Sequence, residues 1–194
     1  MKALVTGSAG HLGEALMRTL RQAGQPAVGL DRQPSPYTDQ VGCITDPEFV
    51  SRCMAGVGLV FHTATLHKPH VATHSEQAFI DTNVSGTRNL LAAAVTAGVQ
   101  AFVFTSTTST FGDALRPPAG QPAAWITESV APQPKNIYGV TKTAAEDLCR
   151  LYARNHRLPC VVLRTSRFFP EQDDDPDRRA GFSDQNLKVN EFLY

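Results

Sequence analysis

A glycine turn between the first strand and the first helix constrains this chain more than any other feature. Lys2 to Thr6 reads as a short apolar strand, and Gly7-Ser8-Ala9-Gly10-His11-Leu12-Gly13 follows it directly. His11 to Ala23 then shows helical periodicity through Leu12, Ala15, Leu16 and Leu20, and Gly24 stops it. Glycines at 7, 10 and 13 let the backbone turn tightly, approach a ligand, and pack the helix against the strand. The helix points its N-terminal amides at the turn, which favours a pyrophosphate there. Glycine turns also join strands to helices without any ligand, and the spacing is Gly-x-x-Gly-x-x-Gly, not the commoner Gly-x-Gly-x-x-Gly. Strand before, helix after and an acid at Asp31 together favour a bound dinucleotide.

The alternation that begins here continues. Pro26 to Leu30 is a second strand delivering Asp31, and Gln33 to Gln40 is a polar loop. Val41 to Ile44 is a short third strand, and Asp46 caps a helix running to Met54. Val57 to Thr63 is a nearly all-apolar fourth strand, as a buried parallel strand should be. Ser75 to Ala97 reads as one long helix, Gln100 to Ser106 as a fifth strand, Ile137 to Asn155 as a long helix and Cys160 to Arg164 as a sixth strand. The expected fold is α/β: a Rossmann-type, doubly wound parallel sheet with helices on both faces. Gly7, Asp31, Thr63 and Ser106 fall at the carboxyl ends of strands, where such sheets bind ligands. Leu115 to Pro134 carries five prolines and reads as an ordered surface excursion near the site. After Arg164 the alternation stops: 171–179 is charged and turn-like, and 185–194 reads as a short helix.

With 194 residues the chain has room for one core. Its zero formal net charge, with charges dispersed, gives no electrostatic reason to expect nucleic acid or an anionic membrane as partner. No apolar run is long enough to span a bilayer. Cys43, Cys53, Cys149 and Cys160 have neither metal-type nor paired spacing, so reduced thiols in a cytoplasmic protein are expected.

Asp31 can accept hydrogen bonds from ribose hydroxyls and would repel a 2′-phosphate, which favours NAD over NADP. Arg32 argues the other way, and Asp31 also suits a plain turn. Tyr138 and Lys142 are four apart on a helix and share a face. A nearby ammonium favours the phenolate, so Lys142 is expected to bring Tyr138 from its usual pKa of about 10 toward neutrality. Such a tyrosine can exchange a proton with a substrate hydroxyl while hydride passes to a nicotinamide. The fifth strand runs into six hydroxyl residues, Thr105 to Thr110, one of which can bond the reacting oxygen.

With these motifs in order, the chain resembles the extended short-chain dehydrogenases/reductases of the NAD-dependent epimerase/dehydratase type. The resemblance rests on Thr6 to Gly13, His62-Thr63-Ala64, Asn83-Val84-Ser85-Gly86-Thr87, Phe102 to Gly112 and Tyr138 to Lys142, and reaches about Arg167. It implies that Tyr138 is the catalytic acid/base and that Lys142 lowers its pKa and holds the nicotinamide ribose. It implies that Thr107 orients the substrate oxygen, that Asn83 is largely structural, and that Ala64 and Thr65 pass close to the cofactor. NAD is then expected along Gly7, Gly10, His11, Leu12, Gly13, Asp31, Arg32, Ile44, Thr63 and Thr105. Cys43 stands where many members have an aspartate contacting adenine. Arg167 stands where many have asparagine, and is expected to contact an anionic group of the substrate. The resemblance also implies a homodimer through the helix faces Asn89 to Ala97 and Thr143 to Leu151. Residues 1–166 are then an NAD-binding domain, and 167–194 the beginning of a truncated substrate-binding region.

The expected activity is that of an NAD-dependent oxidoreductase or epimerase acting on an alcohol or carbonyl, for example of a sugar or nucleotide sugar. The competing reading is a non-catalytic dinucleotide-binding module, which has no need of Thr107, Tyr138 and Lys142. His62, His67, His70 and His74 lack the helpful cysteine or acid spacing of a zinc site. Asp173, Asp174, Asp175 and Asp177 lack the glycine and distal glutamate of a calcium hand.

Overall fold

Six strands form one parallel sheet in the computed structural model, which describes residues 1–166. They are β1 (Lys2–Thr6), β2 (Ala27–Asp31), β3 (Gln40–Val41), β4 (Val57–His62), β5 (Ala101–Thr107) and β6 (Cys160–Thr165), in the order β3-β2-β1-β4-β5-β6. The order reverses between β1 and β4, so the loops leaving those strands diverge and leave a crevice between them. Every neighbouring pair is parallel, with Thr6 opposite Leu30 on one side and His62 on the other.

Right-handed crossovers place α1 (His11–Gln22) on one face of the sheet, with α2 (Pro47–Cys53), α4 (Gly86–Ala97) and α5 (Ile137–His156) on the other. Strand alternation serves both. Leu4 joins the core built with Val50, Leu90, Leu91 and Ala145, whereas Val5 points to the opposite face, where Met17 of α1 is also fully buried. Phe102 and Phe104, both buried on β5, anchor the larger core at about 1.5–3 kcal/mol each. The Asp46 side chain accepts from the Glu48 and Phe49 amides and starts α2, and Asn136 does the same for α5 through the Gly139 amide.

Two expectations need correction. The third strand is only Gln40–Val41, not Val41 to Ile44. Its ladder stops because the chain turns there: the Asp46 amide bonds the Cys43 carbonyl at 3.1 Å, and Ile44 drops into the core against Gly86. The long helix of Ser75 to Ala97 is three pieces: α3 (Glu76–Phe79), a π-helical segment (Ile80–Ser85) and α4. The wider π turn lies where Asn83 meets the loop after β4, a position typical of functional sites. Three short 3₁₀ turns, Lys68–Ala72, Thr108–Thr110 and Gly112–Leu115, occupy stretches where periodicity gives no signal. Residues 116–134 are irregular, and the Gln133 amide ties their far end to the Thr110 carbonyl at 3.1 Å. Arg167, the acidic run at 173–177 and the segments at 171–179 and 185–194 lie outside the described residues.

Gly13 shows how tightly the turn is built. A Cβ there would lie 1.9 Å from the Gly7 carbonyl oxygen, and 2.9 Å from the Ser8 Cα, all of it backbone that cannot swing aside. Gly13→Ala is therefore expected to lower stability by about 1–3 kcal/mol. Gly10→Ala, whose Cβ meets only the Gly7 carbonyl at 3.3 Å, should lose clearly less. Urea unfolding of both variants checks this; equal losses would mean that the Gly13–Gly7 contact does not hold the turn.

Candidate active site

The turn after β1 opens one side of a cleft of about 1520 Å³ at the carboxyl ends of the strands. Gly7 adopts φ +75°, and a Cβ there would stand 2.7 Å from the Ala64 amide, so only glycine lets the β1 and β4 loops approach. Gly10, His11, Leu12 and Gly13 line the cleft. Gly10 offers no side chain to cap α1, so the first amides of the helix face the cleft without a side-chain partner.

Asp31 lines the same cleft and anchors it. One carboxylate oxygen accepts from the Ala9 amide at 3.0 Å and the other from the Gln33 amide at 2.9 Å. The turn role and a ligand role thus coexist, because each oxygen keeps acceptor capacity. Arg32, Cys43 and Ile44 complete this end.

A chain of buried polar groups fixes the middle of the site. The Thr87 hydroxyl donates its only proton to the Asn83 carbonyl at 2.6 Å. It must therefore accept from His62 Nε2, 2.9 Å away, which leaves His62 Nδ1 to accept from the Thr6 hydroxyl at 2.8 Å. His62 is a neutral imidazole: burial above all, with the Lys142 charge, pushes its pKa down to about 3. Asn83 uses its whole amide. Its oxygen takes the Leu66 amide at 2.8 Å and the Thr65 hydroxyl at 3.0 Å; its nitrogen gives to the Leu66 carbonyl at 2.9 Å and Thr141 at 3.1 Å. Asn83 thus clamps the loop after β4 to α5 from behind the cleft, whose wall carries Thr63, Ala64 and Thr65.

The other wall holds Thr105, Thr107 and Tyr138. The Tyr138 pKa lies above the ordinary phenol value: burial raises it, and the Thr107 side chain pulls it partly back. Lys142 departs from its expected place. Its Nζ donates to the Thr105 carbonyl at 2.6 Å and stands 4.0 Å from the centre of the Phe104 ring. It is 2% exposed and lies behind the cleft wall. Burial lowers its pKa to about 7, with Cys149 and Glu146 holding it up. The expected lowering of the Tyr138 pKa by Lys142 is not met by this arrangement. The shared helix face brings the two side chains to the same region, but the strand carbonyl and the ring take the ammonium.

One group escaped sequence reasoning. Glu146, one turn beyond Lys142, is fully buried and joined to Arg164 and Ser106. The available signal was an arginine in the apolar run Cys160 to Thr165, which needs a buried partner. His67, His70 and His74 lie ring against ring, with centroids 4.4 and 5.0 Å apart. Among the described residues no group of three or more His, Cys, Asp or Glu stands together to hold a metal ion. Nor is any described helix long and apolar enough to cross a membrane.

Comparison with known proteins places this cleft among relatives. A profile of the NAD dependent epimerase/dehydratase family matches residues 3–187. A UDP-glucose 4-epimerase of Streptomyces lividans is 31% identical over 173 residues, covering 84% of this chain and 50% of the relative. A 3-beta-hydroxysteroid dehydrogenase of Mycolicibacterium neoaurum is 38% identical over 118 residues, 56% of this chain and 32% of the relative. A short-chain dehydrogenase/reductase superfamily protein from Agrobacterium tumefaciens, solved with bound NAD, superposes with a TM-score of 0.74 at 34% identity. That match covers 84% of this chain and 48% of the other. The chain thus spans about half or less of the length of these relatives.

The neutral His62 makes the site sensitive to acid. Its folded pKa is below its unfolded value of 6.5, so the unfolded chain binds the proton more readily. The stability it contributes is complete above pH 6.5 and is lost as pH falls from there toward 3. Between pH 6 and about 4, wild-type stability should fall more steeply than that of His62→Gln, by up to about 1.4 kcal/mol per pH unit. Denaturant titrations across this window test it; parallel slopes would contradict a buried neutral histidine.

Proposed function

The chain belongs to the NAD dependent epimerase/dehydratase family, and on that premise we propose that it acts as an NAD-dependent oxidoreductase or epimerase. Its substrate is an alcohol or carbonyl, in a sugar or nucleotide sugar, and Tyr138 is the acid/base. The observation that carries this reading is that the uncapped start of α1, Asp31, Thr107 and Tyr138 line one cleft. A binding module accounts for the first two and leaves the Thr107–Tyr138 pair without a purpose. The UDP-glucose 4-epimerase relative supports a sugar substrate.

The residues present suit a dinucleotide. The amides of His11 and Leu12 would hold its pyrophosphate, and the spare acceptor capacity of Asp31 its adenosine ribose. Ile44 and Cys43 would border the adenine, with Arg32 at the edge. Thr63, Ala64, Thr65 and Thr105 would border the nicotinamide half. When bound, NAD supplies the hydride acceptor. To meet the nicotinamide ribose hydroxyls, the Lys142 ammonium must turn from behind the wall toward the cleft, keeping or exchanging its bond to the Thr105 carbonyl.

In oxidation, Tyr138 takes the proton of the substrate hydroxyl as the carbon gives up hydride; in reduction it returns that proton. Thr107, which lines the same cleft as Tyr138, holds the substrate oxygen in line with its hydroxyl. Burial opposes the phenolate and the Thr107 side chain favours it; the Lys142 charge would add to this only with its ammonium turned from the Thr105 carbonyl toward the phenol. In an epimerase the hydride returns to the same carbon from the other face of the substrate. The helix faces Asn89 to Ala97 of α4 and Thr143 to Leu151 of α5, with Leu151 exposed, are the proposed homodimer contact.

Calorimetry and turnover test the proposal. NAD should bind more tightly than NADP, and Asp31→Ser should narrow that preference. Gly10→Ala should weaken NAD at least about tenfold, since the added methyl crowds the α1 amides. Tyr138→Phe should bind NAD within a few-fold of wild type and lower turnover on alcohols and sugars by about 10²–10⁴. NAD binding with no turnover by any longer form of the protein would favour the binding module. Equal turnover by Tyr138→Phe would remove the tyrosine from the chemistry.

A further inference from the structure

Glu146 is the one fully buried carboxylate among the described residues, and four donors converge on it. Oε1 accepts from the Ser106 hydroxyl at 2.5 Å and from Arg164 Nε at 3.0 Å. Oε2 accepts from Arg164 at 2.7 Å and from Arg150 at 3.2 Å. A buried ion pair of this kind adds little stability over well-packed apolar residues, so stability alone does not account for it.

Its place supplies one. Tyr138, Lys142 and Glu146 follow at four-residue intervals on α5 and share a face. Ser106 sits on β5 between Thr105, whose carbonyl takes the Lys142 ammonium, and Thr107, which lines the cleft with Tyr138. Glu146 therefore ties the strand end that carries two partners of the pair to the helix that carries the pair itself. Arg164 extends the tie to β6 and stacks on Phe111 at 4.8 Å, just past the hydroxyl run.

We propose that Glu146 is a positioning residue: through Ser106 it fixes the end of β5 against α5, and with it the Thr105 carbonyl that holds the Lys142 ammonium. The proposal rests on reading Tyr138 and Lys142 as the reacting pair. Around Lys142 the titratable and charged groups are Glu146, Cys149 and Tyr138 on α5 and His62 on β4. Arg164 on β6 and Arg150 on α5 act through Glu146, and Cys160 on β6 through Cys149. β5 contributes only the Thr105 carbonyl and the Phe104 ring. Of these, Cys149 and Glu146 favour the charged lysine against the cost of burial, and Glu146 is the carboxylate.

The test reads Lys142 directly and needs no cofactor, so its failure is separable from failure of the NAD reading. The side-chain resonance of Lys142, assigned by its loss in Lys142→Gln, is titrated by NMR in the whole chain. Wild type should show a midpoint of about 7. Glu146→Gln should lower it by about one unit or more, and Glu146→Asp should restore much of the difference. If Glu146→Gln alone does not fold, Glu146→Gln/Arg164→Gln removes both buried charges and should show the same downward shift. An unchanged midpoint in a folded Gln variant overturns the proposal. So does failure of all three variants to fold, which would make Glu146 a structural anchor only.

Discussion

The ammonium of Lys142 is 2% exposed and is held by the Thr105 carbonyl at 2.6 Å and the face of Phe104 at 4.0 Å. Burying a charge in a parallel sheet costs several kcal/mol unless dipoles and counter-charges meet it. Much of the right half of the fold answers that demand. β5 ends with its carbonyl aimed at the lysine, α5 carries Glu146 one turn away, and β6 contributes Arg164 to hold Glu146 in turn. The same residues that make the lysine tolerable bring Thr107 and Tyr138 to the cleft. Stability and site geometry here are one set of contacts.

The left half solves a different problem, which is bringing backbone close to a phosphate. Gly7 lets the β1 turn pass against the Ala64 amide, and Gly13 lets α1 close on Gly7. Asp31 braces the turn from β2. Between the halves, Thr6, His62, Thr87 and Asn83 form a continuous hydrogen-bonded chain from β1 through β4 to the π segment. Every member is satisfied, so the chain rigidifies the crevice where the strand order reverses. The two halves are therefore held in register by buried polar groups as well as by apolar packing.

Much of this was legible in the amino-acid order because the relevant signals are local. Apolar runs ending in glycine or hydroxyl residues placed β1, β4 and β5 to within a residue, and the same pattern put Gly7, Asp31, Thr63 and Ser106 at strand ends. The π turn at Ile80–Ser85 was not legible, since it shifts backbone hydrogen bonds without altering the apolar pattern. Ile44 misled because a β-branched residue beside a strand looks the same whether it continues the ladder or turns into a core. The Tyr138–Lys142 spacing correctly implied a shared face but not which acceptor would claim the ammonium. That depended on the Thr105 carbonyl, a long-range contact that sequence spacing does not encode.

On the proposed reading, one cleft holds NAD on the α1 turn and presents its nicotinamide end to Tyr138, with Lys142 behind. A crystal structure of the chain grown with NAD measures this most directly. The expected result is pyrophosphate on the His11 and Leu12 amides, adenosine ribose on Asp31, and nicotinamide ribose within hydrogen-bond reach of Tyr138 and of a Lys142 ammonium turned toward the cleft. NAD bound with its nicotinamide end away from Tyr138, or with no contact to Lys142, would contradict it.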